Sequence, residues 1–323
     1  MEPLFGDDVK KAATRDGYGQ ALLELAETDR DVVVLCADLT ESTRTLEFSK
    51  RYPERFIEAG VAEQNMAGMA AGLAFEGKIP FVSSFAVFSP GRNWDQIRVS
   101  ICYSRANVKI GGSHTGLTTG GDGATHQALE DIAMMRCLPN MVVLAPCDAV
   151  ETRKATIAAA RHKGPVYIRF AREKTPVFTT GKTPFEIGKA VALRDGSDAT
   201  IIACGTMVYP ALQACEELAA RGLSVRVVDS PSIKPIDIET IVAAAKETGA
   251  IVTCEEHQIY GGLGGAVAEV LAARFPVPQE FVGVNDTFGE SGEHLELWDK
   301  YGLTVEHIVE AVTKAVARKR GIK

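Results

Sequence analysis

The 323-residue chain has no apolar run approaching the roughly 20 residues that a membrane-spanning helix requires. It is also poor in positive charge: 35 Lys and Arg against 42 Asp and Glu leave a net charge of -7. Phosphate-backbone binding needs a basic face, so neither a nucleic acid nor an anionic membrane is an expected partner. The seven cysteines are scattered and form no C-x-x-C pair. A zinc site and a disulfide framework are therefore not expected, and buried thiols in a reducing compartment are. The opening stretch "MEPLFGDDVKKAATRDG" lacks a basic segment followed by an apolar core. A conventional signal peptide is not expected and a cytoplasmic location is. Low-complexity tracts and short repeats are missing too.

What is present is ordinary soluble composition, 46% hydrophobic and 24% charged, in a chain long enough for two cores. Strand-length apolar runs alternate with stretches of helical period. "DVVVLC", "KIPFVSSF", "NVKIGG", "NMVVLAP" and "GPVYIRF" are the strands; "AEQNMAGMAAGLAFEG" and "AVETRKATIAAARHK" are among the helices between them. Strands apolar on both faces, alternating with helices, imply parallel sheets between helical layers. A second round, "ATIIACG", "SVRVVDS" and "AIVTCEE" with its own helices, follows a stretch rich in Thr, Gly, Lys and Pro. The fold class is α/β with two domains, each a largely parallel sheet flanked by helices. We place them at residues 8–175 and 190–323, joined by a linker over 176–189.

Four stretches can carry chemistry. "GGSHTGLTTGGDGATHQALED" follows one strand and precedes a helix, and its His114, Asp122 and His126 lie in a glycine-rich setting. In open parallel sheets that edge takes ligands, and so long a loop is usually functional; a plain surface loop is the alternative. In "SSFAVFSPGRNWDQ", Phe85 and Phe88 end a strand, as core residues or as a stacking platform. In "GVAEQNM", Glu63 opens a helix of small apolar residues, either as a helix-terminus charge or as a carboxyl that holds a proton. "YGGLGGAVAEV" has glycines spaced somewhat like a dinucleotide turn but lacks the acidic residue that such a turn requires downstream, which favours helix packing or a tight turn.

Together these residues resemble the C-terminal half of transketolase. The resemblance runs over nearly the whole chain, through "ATRDGYGQAL", "CADLTESTRT", "RFIEAGVAEQNMAGMAAGLA", "SFAVFSPGRNWDQIR", "GSHTGLTTGGDGATHQALEDIAMMRCLPNMVVLAPCDAVE", "YIRFAREKTPV" and "ESGEHLELWDKYGLT", in family order. Transketolases have three domains, and this sequence is similar to the pyrimidine-binding and C-terminal ones only. The resemblance thus implies one subunit of a split transketolase, using thiamine diphosphate to move a two-carbon ketol unit from a ketose phosphate to an aldose phosphate in the pentose phosphate pathway. It implies an N-terminal partner subunit that holds the diphosphate and the Mg2+ or Ca2+, with no metal ligand in this chain, and self-association through pyrimidine-type domains into an α2β2 heterotetramer.

By the same resemblance Glu63 is the carboxyl that hydrogen-bonds the aminopyrimidine ring. Phe85 and Phe88 pack around that ring, and Asp38 lies near the thiazolium. His114, Asp122 and His126 match the family spacing H-x7-D-x3-H and would meet the donor sugar, His114 and His126 as catalytic histidines. Arg15, Ser42 and Arg172 match positions that hold a sugar phosphate. Departures at Gly91, in "TTGGDG" and at Gln64-Asn65 bear on substrate choice and not on the cofactor. The competing expectations are a β-type subunit of a 2-oxo acid dehydrogenase, a deoxyxylulose-phosphate synthase-like activity, or a non-catalytic regulatory subunit.

Overall fold

The computed structural model describes residues 9–321, so the first residue of the expected N-terminal domain, 8, lies outside the described residues. In chain order the first strands are β1 (Lys11–Ala13), β2 (Val32–Cys36), β3 (Phe56–Glu58), β4 (Ile79–Phe85), β5 (Lys109–Ser113), β6 (Val142–Leu144), β7 (Val166–Arg169) and β8 (Lys174–Pro176). The second half contributes β9 (Val191–Arg194), β10 (Ala199–Ala203), β11 (Val225–Asp229), β12 (Ser232–Lys234), β13 (Ile251–Gln258) and β14 (Gln279–Val284).

Strands β2 to β7 form a parallel sheet in the order β6-β7-β5-β4-β2-β3, and β12 adds to β6 as an antiparallel edge. All five residues of β2, "VVVLC", are buried, as helices on both sheet faces demand. A second sheet has the order β14-β13-β10-β11-β9, parallel except for β9. β1 and β8 pair separately as an antiparallel ribbon where the first unit ends. Residues Ser232–Lys234 fall in the second unit by sequence, yet they extend the first sheet, so the two layers share a strand connection as well as a core. No helix among the described residues is long and apolar enough to cross a membrane.

Buried charge fastens the two units together. Arg169 at the end of β7 donates to both Asp131 oxygens, at 3.2 and 2.9 Å, and to the Glu256 carbonyl of β13 at 2.6 Å. Asp131 also accepts from the Tyr167 hydroxyl at 2.7 Å. Removing one partner of so buried a pair costs about 3–5 kcal/mol, because the other charge is left in the interior without compensation.

The glycine run at 261–265 is explained by close approach. The Glu255 carboxylate accepts from the Leu263 and Gly264 N–H groups at 2.7 and 2.8 Å, and a Cβ on Gly262 would come within 2.0 Å of it. The N-terminus of the helix Leu263–Arg274 is thus satisfied by the protein's own anion.

Candidate functional site

The sequence-derived site residues emerge at the C-terminal ends of the parallel strands, where open α/β sheets bind ligands. Asp38 follows β2, Glu63 follows β3, Phe85 ends β4, His114 follows β5 and Arg172 follows β7. Arg15 joins them from the first turn of the helix Thr14–Thr28.

Phe85 and Phe88 stack with centroids 6.1 Å apart, and the other neighbours of Phe85 are histidines. The His114 ring lies 3.7 Å from Phe85 at 25°, while His126 meets Phe85 and Phe88 edge-on at 6.1 and 5.5 Å. His114 and His126, twelve residues apart in the chain, are therefore one aromatic cluster with the two phenylalanines.

Glu63 opens the helix Glu63–Phe75 with a side chain only 1% exposed. Arg92 donates to its Oε2 at 2.7 Å and lies over the Phe88 ring at 4.7 Å. Hydrogen bonds from the described residues reach only Oε2, so Oε1 is open to a ligand. The expected setting was a carboxyl among small apolar groups; an ion pair at the site mouth was not foreseen, and Arg92 carries no periodic or motif signal that would have announced it. Asn93 adds a hydrogen bond to the Glu63 carbonyl at 3.1 Å.

Beside the rings stands a group of cations. Arg15 donates through Nη1 to the Ser42 carbonyl at 2.8 Å and approaches His114 Nε2 at 3.5 Å, while its buried Nε has no partner. Ser42 thus meets Arg15 through its backbone. Arg172 donates to the Thr119 carbonyl at 2.7 Å, and Arg44 pairs with Asp16 at 2.7 Å. Burial first, then Arg44 and Arg172, pull the Arg15 pKa below its ordinary value, outweighing the opposing pull of Asp16 and Glu173.

The same surroundings act on His114. Burial first, then Arg15, Arg172, His126 and Arg44, push its pKa down to about 3, so the ring is neutral at physiological pH. An arginine can only donate, so Nε2 is the acceptor and Nδ1 carries the proton, donated to Ser113 Oγ at 2.8 Å. The residue is also held at φ 57°, in the left-handed region that a non-glycine residue adopts at a cost of roughly 1 kcal/mol.

Asp122 and His126 complete the spacing motif in a different way. The stretch expected to be a long loop is wound into a largely buried 3-10 turn, Leu117–Asp122, which leaves Asp122 exposed at its end. His126 is half-buried, with Nδ1 2.8 Å from the Thr125 hydroxyl. Asp38 is exposed with φ 59°, and its N–H donates to Glu58 Oε1 at 2.8 Å. The same oxygen takes the Gly60 N–H at 2.9 Å, so Glu58 links the exit of β2 to the entry of the Glu63 helix. The sequence reading did not single out Glu58, Arg44 or Arg92.

Among the described residues, Asp122 belongs to no cluster of potential metal ligands. Among the described residues such a cluster occurs elsewhere, where Cys147, Glu151 and Asp229 bring one ligand atom each within 4.8 Å, all buried. Burial pushes the Glu151 pKa up to about 7, and burial together with the nearby Glu151 charge raises that of Asp229. The two carboxyls lie at the joint between the helix Ala149–Arg161 and β11, where Glu151 Oε1 and both Asp229 oxygens have no hydrogen-bond partner among the described residues.

Family models match residues 10–177 as the transketolase pyrimidine-binding domain and residues 188–308 as the transketolase C-terminal domain. A solved structure of a split-gene transketolase, an inactive beta4 tetramer, is similar at TM-score 0.90 and 52% identity, covering 95% of this chain and 99% of that one. A 6-deoxy-6-sulfo-D-fructose transketolase subunit from Clostridium sp. is 44% identical over 99% of both chains. An apulose-4-phosphate transketolase subunit from Phocaeicola vulgatus is 42% identical over 95% of this chain and 98% of its own.

Proposed function

The chain belongs to the transketolase family, and from that premise we propose that it is the C-terminal subunit of a split, thiamine-diphosphate-dependent transketolase, moving a two-carbon ketol unit from a ketose phosphate to an aldose phosphate. The observation that carries this is the convergence of Glu63, Phe85, Phe88, His114 and the arginines at one sheet edge.

The residues fit the cofactor's aminopyrimidine ring. The open Glu63 Oε1 gives a buried oxygen for a ring nitrogen, and Phe85 and Phe88 offer flat apolar faces, while Asp38, exposed after β2, would lie towards the thiazolium. When bound, thiamine diphosphate supplies the acidic thiazolium carbon that carries the ketol unit. Glu63 holds the proton shared with the ring nitrogen, a task for which a carboxyl screened from water is suited.

For the sugar, Arg15 and Arg172 take the phosphate, Arg15 with the unpartnered Nε and Arg172 with its planar fork; Ser42 supports Arg15 through its carbonyl. Two relatives are named for a sulfo-sugar and a sugar phosphate, substrates with a terminal anion that such a cluster would meet. Neutral His114 would accept a donor hydroxyl at Nε2 in place of its long 3.5 Å contact with Arg15, with His126 beside it in the aromatic cluster and Asp122 at the end of the adjoining turn. The reaction belongs with sugar-phosphate interconversions of the pentose phosphate type, in the cytoplasm.

The partner is an N-terminal transketolase subunit that binds the diphosphate and the Mg2+ or Ca2+. Val61, Phe75, Val99 and Tyr103, exposed by 70, 61, 45 and 86%, crowd the Glu63–Phe75 helix and the adjoining Ile97–Tyr103 segment. That apolar face supports association of pyrimidine-type domains in an α2β2 assembly.

The test is a coupled assay with thiamine diphosphate, magnesium and panels of ketose donors and aldose acceptors, on the chain alone and mixed with its diphosphate-binding partner. Activity is expected from the mixture, and Glu63→Ala in it should lower turnover on the order of 10²-fold or more. Robust ketol transfer by the lone chain would overturn the split-subunit reading.

A further inference from the structure

Glu256, in β13 of the second sheet, is fully buried and reaches the stretch that carries His114 and Asp122. Its Oε1 accepts from the Thr118 N–H at 2.6 Å and from Trp298 Nε1 at 3.1 Å. Its Oε2 accepts from the hydroxyls of Thr206 at 2.8 Å and Thr118 at 3.4 Å. Gly116 permits this approach, since a Cβ there would come within 2.4 Å of the Glu256 carboxyl carbon, and φ 74° is open to glycine. Burial raises the Glu256 pKa, while Arg169, Trp298, Thr206 and Thr118 pull the other way.

What the carboxylate grips is next to the site. Thr119, adjacent to Thr118, donates its hydroxyl to the His114 carbonyl at 2.8 Å and accepts the Arg172 guanidinium on its own carbonyl at 2.7 Å. His114 has an unfavourable φ, so it needs surroundings that hold it there. Further contacts from the second unit close over the same turn: Gln127 donates to the Glu290 carbonyl at 2.9 Å, and a Cβ on Gly123 would strike the Ser291 hydroxyl at 2.5 Å.

We propose that Glu256 is a positioning residue for donor binding: by fixing Thr118 it fixes, through Thr119, the backbone of His114 and the guanidinium of Arg172. This gives the C-terminal domain a direct part in reading the substrate, and it rests on the reading above that His114 and Arg172 meet the donor. Glu63, Phe85 and Phe88 hang on other elements, so the clamp meets the cofactor side of the site only through the contact of the His114 ring with Phe85.

The experiment uses the assembled enzyme. Glu256→Ala cuts the clamp, Glu256→Gln keeps an acceptor for the Thr118 N–H, and Thr119→Val removes the hook on His114 without touching the second domain. Glu256→Ala and Thr119→Val should each raise the donor KM about tenfold or more, with thiamine diphosphate affinity within about twofold of wild type, because a small displacement of positioning groups costs rate steeply. Glu256→Gln should restore most of the loss, and amide exchange over residues 114–120 should quicken in Glu256→Ala. A donor KM unchanged per active site, or cofactor affinity falling in step with it, overturns the proposal; if Glu256→Ala does not fold, Thr119→Val decides. Failure of the wild-type assembly to transfer ketol units overturns the functional reading and this inference with it, whereas a working wild type with unaltered variants overturns this inference alone.

Discussion

The Arg92 guanidinium donates to Glu63 Oε2 at 2.7 Å while lying 4.7 Å above the centre of the Phe88 ring. One side chain thus touches both groups that the aminopyrimidine would use, and it does so from a position 47% exposed to solvent. Arg92→Leu leaves a buried carboxylate without its donor, which costs the cofactor-free protein about 1 kcal/mol after allowance for solvent screening. A bound ring supplies a replacement donor. The variant should therefore melt lower without cofactor and gain more from thiamine diphosphate in the assembled enzyme than wild type does. Equal cofactor-induced shifts in Tm would show that the ion pair is irrelevant to ring binding.

On the proposed reading, Arg172 and Arg15 would distinguish phosphate from the rest of the sugar. Arg172→Ala should raise KM for phosphorylated donors more than for unphosphorylated ones, by about tenfold relative to them, since a charge-assisted pair is worth about 1.5–3 kcal/mol. Steady-state kinetics on matched donor pairs decides it, and equal effects on both would count against phosphate contact.

His114 should contribute no limb to the pH profile between about pH 5 and 9, because its folded pKa lies near 3. The sign for stability follows from the same shift: below the ordinary histidine value the unfolded chain binds a proton that the folded site refuses. His114 therefore weakens the fold as pH drops from about 6.5 towards about 3. A profile of donor kcat/KM against pH in wild type and His114→Asn checks this; a limb near neutrality that the variant abolishes would contradict it.

At the Glu151–Asp229 pair the sign reverses. Both carboxyls have folded pKa values raised by burial, Glu151 to about 7. The Glu151 contribution is fully present below the unfolded carboxylate value, about 4, and is lost as pH rises through about 7. Glu151→Gln removes one titrating partner, so Tm should fall less between about pH 5 and 8 than in wild type. Parallel Tm curves would rule out a raised Glu151 pKa at this joint.

The parallel strands were legible because burial on both faces writes a continuous apolar run: all of "VVVLC" is interior, and no polar alternation obscures it. The short local motifs were legible for a related reason. Glu63, the Phe85–Phe88 pair and the spacing from His114 to His126 each fall within one strand-to-helix connection, where few residues set the geometry. Strand β12 was not legible, since three residues are too few to show a period and nothing local says which sheet they will join.

By itself the sequence determined a two-domain α/β chain, acidic overall, with its chemistry-bearing residues at strand ends. Tertiary structure alone decided their partners. Arg92 is 29 residues from Glu63, and Thr118 is 138 from Glu256. The neutrality of His114 depends on burial together with arginines brought in from three separate connections. Such pairings follow from strand order and from the packing of one sheet against the other. Electrostatic interactions act through space, so a charge whose partner is distant in the chain shows only when the fold has closed the distance.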